Sequence, residues 1–247
     1  AFEESYSRVT VKKAVTASGR EVSTEGMAFI DGGSFLMGNN DVRKEAPEFE
    51  AEVGPFYMDR TPTTNGQYRK YIEATGAPEP KFWRDPNYNG DDQPVIGVSW
   101  QEANAFAEWA GKKLPTEAQW EMAARGKENR KYPWGNMPPQ STICNSGDYL
   151  GMPSVVRMHE ASQTPEGILD LAGNVYEWTL DPYVPYVPEL HGRAPETDEP
   201  RRAVRGGSWH SPPHELTTSH RTGLFPESQL DTVGFRCVLP VGSGQKV

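Results

Sequence analysis

The sequence predicts an irregular α+β domain with low regular secondary structure, and three observations carry that expectation. First, the chain holds 24 glycines and 22 prolines in 247 residues, and both types punctuate turns and are costly inside helices and strands. Second, the apolar segments are short although the hydrophobic fraction is 36%. Third, seven tryptophans are more than a disordered chain carries, so the core is expected to form around large rings.

The elements follow in order. Residues 1–25 are polar and without period, and read as an extended N-terminal arm. A strand is expected at Met27-Ala28-Phe29-Ile30, a turn at Asp31-Gly32-Gly33, and a second strand from Ser34 to Gly38. Asn39 to Glu48 is polar and predicts a loop, and Pro55 to Asp59 predicts another strand. Three helices announce themselves by their caps. Thr64-Asn65-Gly66-Gln67, Ser99-Trp100-Gln101-Glu102 and Thr116-Glu117-Ala118-Gln119 each place a hydroxyl to accept an early backbone N–H while the long side chain reaches back. Tyr68, Tyr71 and Ile72 share one face of the first helix; Ala103, Phe106 and Ala107 of the second; Trp120, Ala123 and Ala124 of the third. Gly76, Gly111 and Gly126 are the stops. After residue 130 the pattern fades. Tyr132 to Asn136 is a turn, residues 181–203 read as a proline- and charge-rich surface excursion, and strand-like pieces return at Ala203 to Arg205 and Val233 to Leu239. No repeat or clear linker is visible, so one domain spans 26–240, with a tail at 241–247.

Charge and cysteine usage bound the function. The net charge of −9, with no Lys/Arg cluster, argues against nucleic acid as a partner. No apolar run reaches the roughly 18–20 residues of a membrane span. The sequence starts at Ala1, the kind of end that removal of a leader peptide after small residues leaves, so export, for example to the periplasm, is the expectation. Cys144 and Cys237 are the two cysteines; they either pair in an exported protein or stay as buried thiols, and no CxxC metal spacing is present.

Seven segments in order resemble the formylglycine-generating enzyme family, also called sulfatase-modifying-factor-like. They are Gly32 to Gly38, Pro62 to Tyr68, Pro94 to Trp100, Lys113 to Glu121, Pro133 to Asn136, Gly173 to Thr179, and the pair Arg205-Gly206-Gly207-Ser208-Trp209 and Gly234-Phe235-Arg236-Cys237. The resemblance implies an irregular α+β fold related to C-type lectins, with bound calcium. It places one calcium set at Asp170, Gly173, Val175 and Glu177, with Asp170 where relatives have Asn, and a second near Asn145, Ser146, Asp148 and Leu150 in a shortened loop. Calcium takes six to eight oxygens, and carboxylates with neighbouring carbonyls suit it.

The resemblance also locates what is missing. In active members two cysteines after Gly-Gly-Ser hold copper(I) while a substrate cysteine is oxidised to formylglycine, because soft sulfur suits that ion. Here those positions fall on Ser211 and near Leu216, so standard sulfatase activation is not expected. The interval instead carries His210, His214 and His220, three of the five histidines, with Glu215 and Arg221 beside them. Pro212-Pro213 excludes a regular helix between His210 and His214, so their spacing is no helical metal pair. The imidazoles can still bind copper or iron from a loop, act as general bases, or simply line a groove. Ser208 and Ser211 complete the catalytic candidates; Trp209 and Tyr176, the latter where active members have Trp, are candidate ligand-stacking residues; Arg221 can neutralise a carboxylate or phosphate, or pair with Glu227 or Asp231. The functions implied are oxidative maturation of a peptide or peptide-derived metabolite, as in the branch that matures the siderophore pyoverdine, or a binding module without catalysis. A thiol–carbon bond-forming iron enzyme, as in ergothioneine synthesis, is weighed against these and disfavoured, because those enzymes carry an additional helical iron-binding domain.

Overall fold

A computed structural model of the chain describes residues 13–15, 21–186 and 200–241. Strand β1 (Lys13–Val15) pairs antiparallel with β2 (Glu21–Ser23). This hairpin lies inside the stretch that reads as a featureless arm. The reason is that one apolar residue per strand suffices: Ala14 and Val22 are buried against Met27 and Leu239. Strands β3 (Met27–Ile30) and β4 (Gly33–Met37) stand where the sequence puts them. Strand β5 (Phe49–Val53) pairs with β4 and ends the polar loop. β6 (Phe56–Asp59) lies between β3 and β11 (Val238–Pro240) in a three-stranded antiparallel sheet.

The three helices obey their caps. They are α1 (Asn65–Thr75), α2 (Trp100–Trp109) and α3 (Glu117–Arg125), and each has its capping box fully formed. α1 ends on Gly76 at φ 71°, a left-handed conformation that glycine takes without steric cost. A second sheet runs in the order β10 (Val233–Gly234), β7 (Tyr176–Pro182), β8 (Arg202–Arg205), β9 (Arg221–Leu224). Its β10–β7 pair is parallel and the others antiparallel. The excursion at 181–203 begins inside β7, and its Tyr186 is buried; residues 187–199 fall outside the described residues, as do 242–247 of the tail.

Large rings build the core. Tyr68 stacks on Phe106 at 5.5 Å, and Phe235 meets Phe106 edge-on at 5.3 Å, which ties α1, α2 and the C-terminal motif together. Trp120 and Trp178 are wholly buried, and each indole N–H has an acceptor, Glu177 Oε2 at 2.7 Å and the Val98 carbonyl at 3.0 Å. An ionic layer lies beneath. Glu121 of α3 accepts from the Gly38 N–H and Arg125 at 2.8 Å each, and from Arg205; Glu117 accepts from Arg205 and from Arg221. Arg205 and Arg221 are 0% and 1% exposed, so these charges stand only because they are paired. The two cysteines are both free and buried, which answers the question the sequence left open. Burial pushes each thiol up, and Cys144 with Cys237 are thereby inert groups of the core.

Candidate functional site

The turn after β8 sets the site. Gly206 and Gly207 take φ of 94° and 72°. At Gly207 the left-handed backbone is matched by space: an added Cβ would lie 2.8 Å from Leu216 Cδ2 and 2.9 Å from the Glu215 carbonyl oxygen. The missing side chain therefore lets the 3-10 turn Pro213–Glu215 fold back onto Gly207. Ser211 Oγ accepts the Ser208 N–H at 3.0 Å and donates to Glu215 Oε2 at 2.8 Å. The phenol of Tyr176, at the start of β7, donates to the same Glu215 oxygen at 2.8 Å and lies 3.3 Å from His220 Nε2. On its other side the His220 ring faces Glu45, with Nδ1 3.4 Å from Oε1, and Ser219 Oγ donates to Glu45 Oε2 at 2.8 Å. Ser211, Glu215, Tyr176, His220 and Glu45 thus form one continuous chain of proton donors and acceptors.

The electrostatics set the state of Tyr176, Glu215 and Glu45. Burial raises the Tyr176 phenol far above its ordinary range, and the hydrogen bond to Glu215 adds to this, so it stays protonated as a donor. Burial also acts to raise the Glu215 carboxyl, but hydrogen bonds from Ser211 and Tyr176, with His220 and His214 nearby, outweigh it and hold Glu215 below its ordinary value. Glu45 follows the same pattern: burial opposes ionisation, yet His220 and Ser219 keep the carboxylate ionised. Two carboxylates therefore bracket a phenol and an imidazole, an arrangement suited to taking a proton from a bound substrate and returning it.

Sequence expectations and geometry part company at several residues. His210 is exposed and meets Asp148 at 2.6 Å, a contact that raises the imidazole through its hydrogen bond and charge. His214 is exposed and lines a cavity next to the turn. The three imidazoles take separate surroundings, and among the described residues no group of three or more His, Cys, Asp or Glu side chains is placed to hold a metal ion. Among the described residues the histidines therefore present no shared donor set for copper or iron. Ser211 offers a hard hydroxyl, and Leu216 is a fully buried apolar side chain packed with Tyr132, Cys144 and Ala172. Arg221 holds Glu117 and the Val184 carbonyl, and pairs with neither Glu227 nor Asp231. Trp209 donates to the Asp231 carbonyl and meets His210 edge-on at 5.7 Å. Ser208 is buried, and its hydroxyl accepts the His210 N–H.

The calcium sets differ in fit. Glu177 is wholly buried, and both its oxygens are engaged by the Arg236 guanidinium, one also by Trp120. A cation there would face a buried guanidinium, so the set Asp170, Gly173, Val175 and Glu177 does not present Glu177 as a ligand. Asp170, at φ 57°, accepts the Arg157 N–H, and burial raises its carboxyl. Gly173 and Val175 complete that turn: the Gly173 N–H donates to the Gly206 carbonyl, and Val175 is fully buried. The second set fits better. Asn145 Oδ1 is buried and has no hydrogen-bond partner, an acceptor of the kind a hard cation takes. Ser146 and Asp148 lie beside it in the chain, with Leu150 following; Asp148 Oδ1 is shared with His210. Sequence reasoning missed Glu45 and noted Glu215 only as a neighbour of the histidines, although its position four residues from Ser211 in the marked interval carried a signal.

Residues 12–241 match the domain described as the sulfatase-modifying factor enzyme 1-like domain. The chain belongs to the sulfatase-modifying factor family. It is 34% identical over 239 residues to the serine/threonine-protein kinase pkn1 of Chlamydia caviae, covering 85% of this chain but only 37% of that protein. It is 33% identical over 276 residues to the inactive C-alpha-formylglycine-generating enzyme 2 of Mus musculus, covering 87% of this chain and 86% of the relative. Hercynine oxygenase of Mycolicibacterium smegmatis is 28% identical over 250 residues, covering 85% of this chain and 58% of the relative. Among solved structures, PvdO from Pseudomonas aeruginosa superposes with a TM-score of 0.72 at 24% identity, covering 87% of this chain and 94% of that one. The formylglycine-generating-enzyme fold, with its C-type-lectin-like irregularity, is thereby established for this chain.

Proposed function

We propose that this chain carries out an oxidative-type maturation of a peptide or peptide-derived metabolite, such as the siderophore pyoverdine, and not standard sulfatase activation. One observation carries the reading: where the resemblance puts a thiolate pair, the chain has a connected acid–base cluster of Ser211, Tyr176, Glu215, His220 and Glu45. Membership of a family whose relatives include a formylglycine-generating enzyme and an oxygenase supports the oxidative character. In this reading Glu215 accepts a substrate proton, Tyr176 relays it, Glu45 orients His220, and the two electrons lost by the substrate pass to an external acceptor, dioxygen, which leaves as hydrogen peroxide. The proposal includes a structural calcium at Asn145, Ser146, Asp148 and Leu150, and a periplasmic or otherwise exported location. A tagged chain that fractionates only with the cytoplasm would overturn the location.

The test is mass spectrometry of the metabolite in the source strain carrying Tyr176→Phe or Glu215→Gln. Unmatured product at unchanged protein level is expected, and normal maturation overturns the reading. A second reading, a ligand- or peptide-binding module without catalysis, is favoured by the relative that is named inactive and is 33% identical. In that case both variants retain ligand binding and no product changes.

A further inference from the structure

A cavity of about 580 Å3 adjoins the cluster. The segment that carries Glu215 and His220 forms part of its wall through His214 and Ser219, and the end of α3 with the turn after it supplies Arg125, Arg130 and Lys131. Three permanent cations and an imidazole therefore line a recess in which Asp41, in an exposed turn, is the one carboxylate among the lining residues. The acids that neutralise the arginines do not line it: Arg125 pairs with Glu121 at 2.8 Å and Glu48 at 3.5 Å, and Arg130 with Glu128 at 2.9 Å and Glu166 at 3.7 Å. Lys131 Nζ lies 5.6 Å from the Tyr132 ring centre, and among the described residues neither it nor the His214 ring takes a hydrogen bond or ion pair. With the arginines met by their own acids, Lys131 is the lining cation without an ion pair among the described residues, on a chain of net charge −9. A recess with low-dielectric walls concentrates such a field and draws in the opposite charge.

We infer that this cavity seats a carboxylate of the substrate, with Lys131 and His214 as its contacts. The inference rests on the functional reading above and adds the substrate class, an acidic peptide or a peptide-derived acid. Ser219 makes the link to chemistry. It lines the cavity, and its hydroxyl holds Glu45, the partner of His220. A ligand anchored there by its carboxylate reaches the cluster with its remaining length.

Titration calorimetry on the full chain tests this with two peptides, acetyl-Glu-Glu-Glu-amide and acetyl-Gln-Gln-Gln-amide. The acidic peptide is expected to bind at least about tenfold more tightly, with the advantage shrinking as salt is raised. Lys131→Gln and His214→Ala should each weaken it severalfold, while Lys70→Gln, on the exposed side of α1, leaves it unchanged. Equal binding of the two peptides, or indifference to Lys131→Gln, overturns the assignment. Tyr176→Phe separates it from the functional reading. If that variant loses maturation while the peptides bind alike, the functional reading stands and the cavity assignment falls. If the acidic peptide is preferred and Tyr176→Phe matures product normally, the cavity assignment stands and the catalytic reading falls.

Discussion

Tyr176 is the residue on which the cluster turns, because its single hydroxyl touches both Glu215 and His220. Tyr176→Phe keeps the ring and removes that link, so turnover in a maturation assay is expected to drop about 100-fold or more, the usual worth of a positioned acid or base. Stability should fall by only about 1 kcal/mol, the net value of one hydrogen bond, as thermal unfolding will show. Glu45 makes a pH prediction. Its folded-state pKa lies below the ordinary 4.5, so its contribution to stability is fully present above that value and is lost as pH falls through the folded value. Glu45→Gln should therefore be less stable at neutral pH, with a shallower loss below about pH 4.5; identical acid limbs in the two proteins would contradict this assignment. Of these residues, Tyr176, Ser211 and His220 were legible because they sit in or beside the marked segments. Glu45 was not. A glutamate in a polar loop has no period, its near neighbour Asn39 gives no hint of burial, and only the folded chain shows that it is 2% exposed against Ser219 and His220.

Helix α3 shows what local sequence does and does not disclose. Thr116 and Gln119 fix where it starts, and the sequence alone says so. That Glu117 and Glu121 point inward is invisible beforehand, since their partners Arg205 and Arg221 come from strands β8 and β9. Glu121→Ala strands Arg205 and Arg125 around an uncompensated buried charge. It is expected to cost about 3–5 kcal/mol and to lower the melting temperature by about 6–20 °C, measurable by calorimetry. Strands β5, β7 and β9 also escaped the reading. β7 and β9 carry charged residues inward, Glu177 and Arg221, so alternation of apolar and polar residues does not mark them, whereas β5 does alternate, with Glu50 and Glu52 outward, and was passed over beside the polar loop.

At the scale of the molecule, motifs spread over most of the chain converge on one fold, and that is why the family was legible while the ligand sets were not. A motif fixes backbone path, whereas ligand availability depends on which side chain has already claimed it, as Arg236 claims Glu177. Calcium is therefore expected to act through Asn145. At a concentration about 100-fold above the dissociation constant it should add about 2.7 kcal/mol to the wild type and nothing to Asn145→Ala, as read by unfolding with and without chelator. The pairing of Glu45 with Ser219 spans 174 positions of sequence. During synthesis the Glu45 carboxylate stays hydrated until the ribosome has delivered Ser219 and His220, the residues that complete the cluster. Two separately expressed halves, divided within the sequence between these partners, would each be inert, and any activity on mixing would report their reassembly.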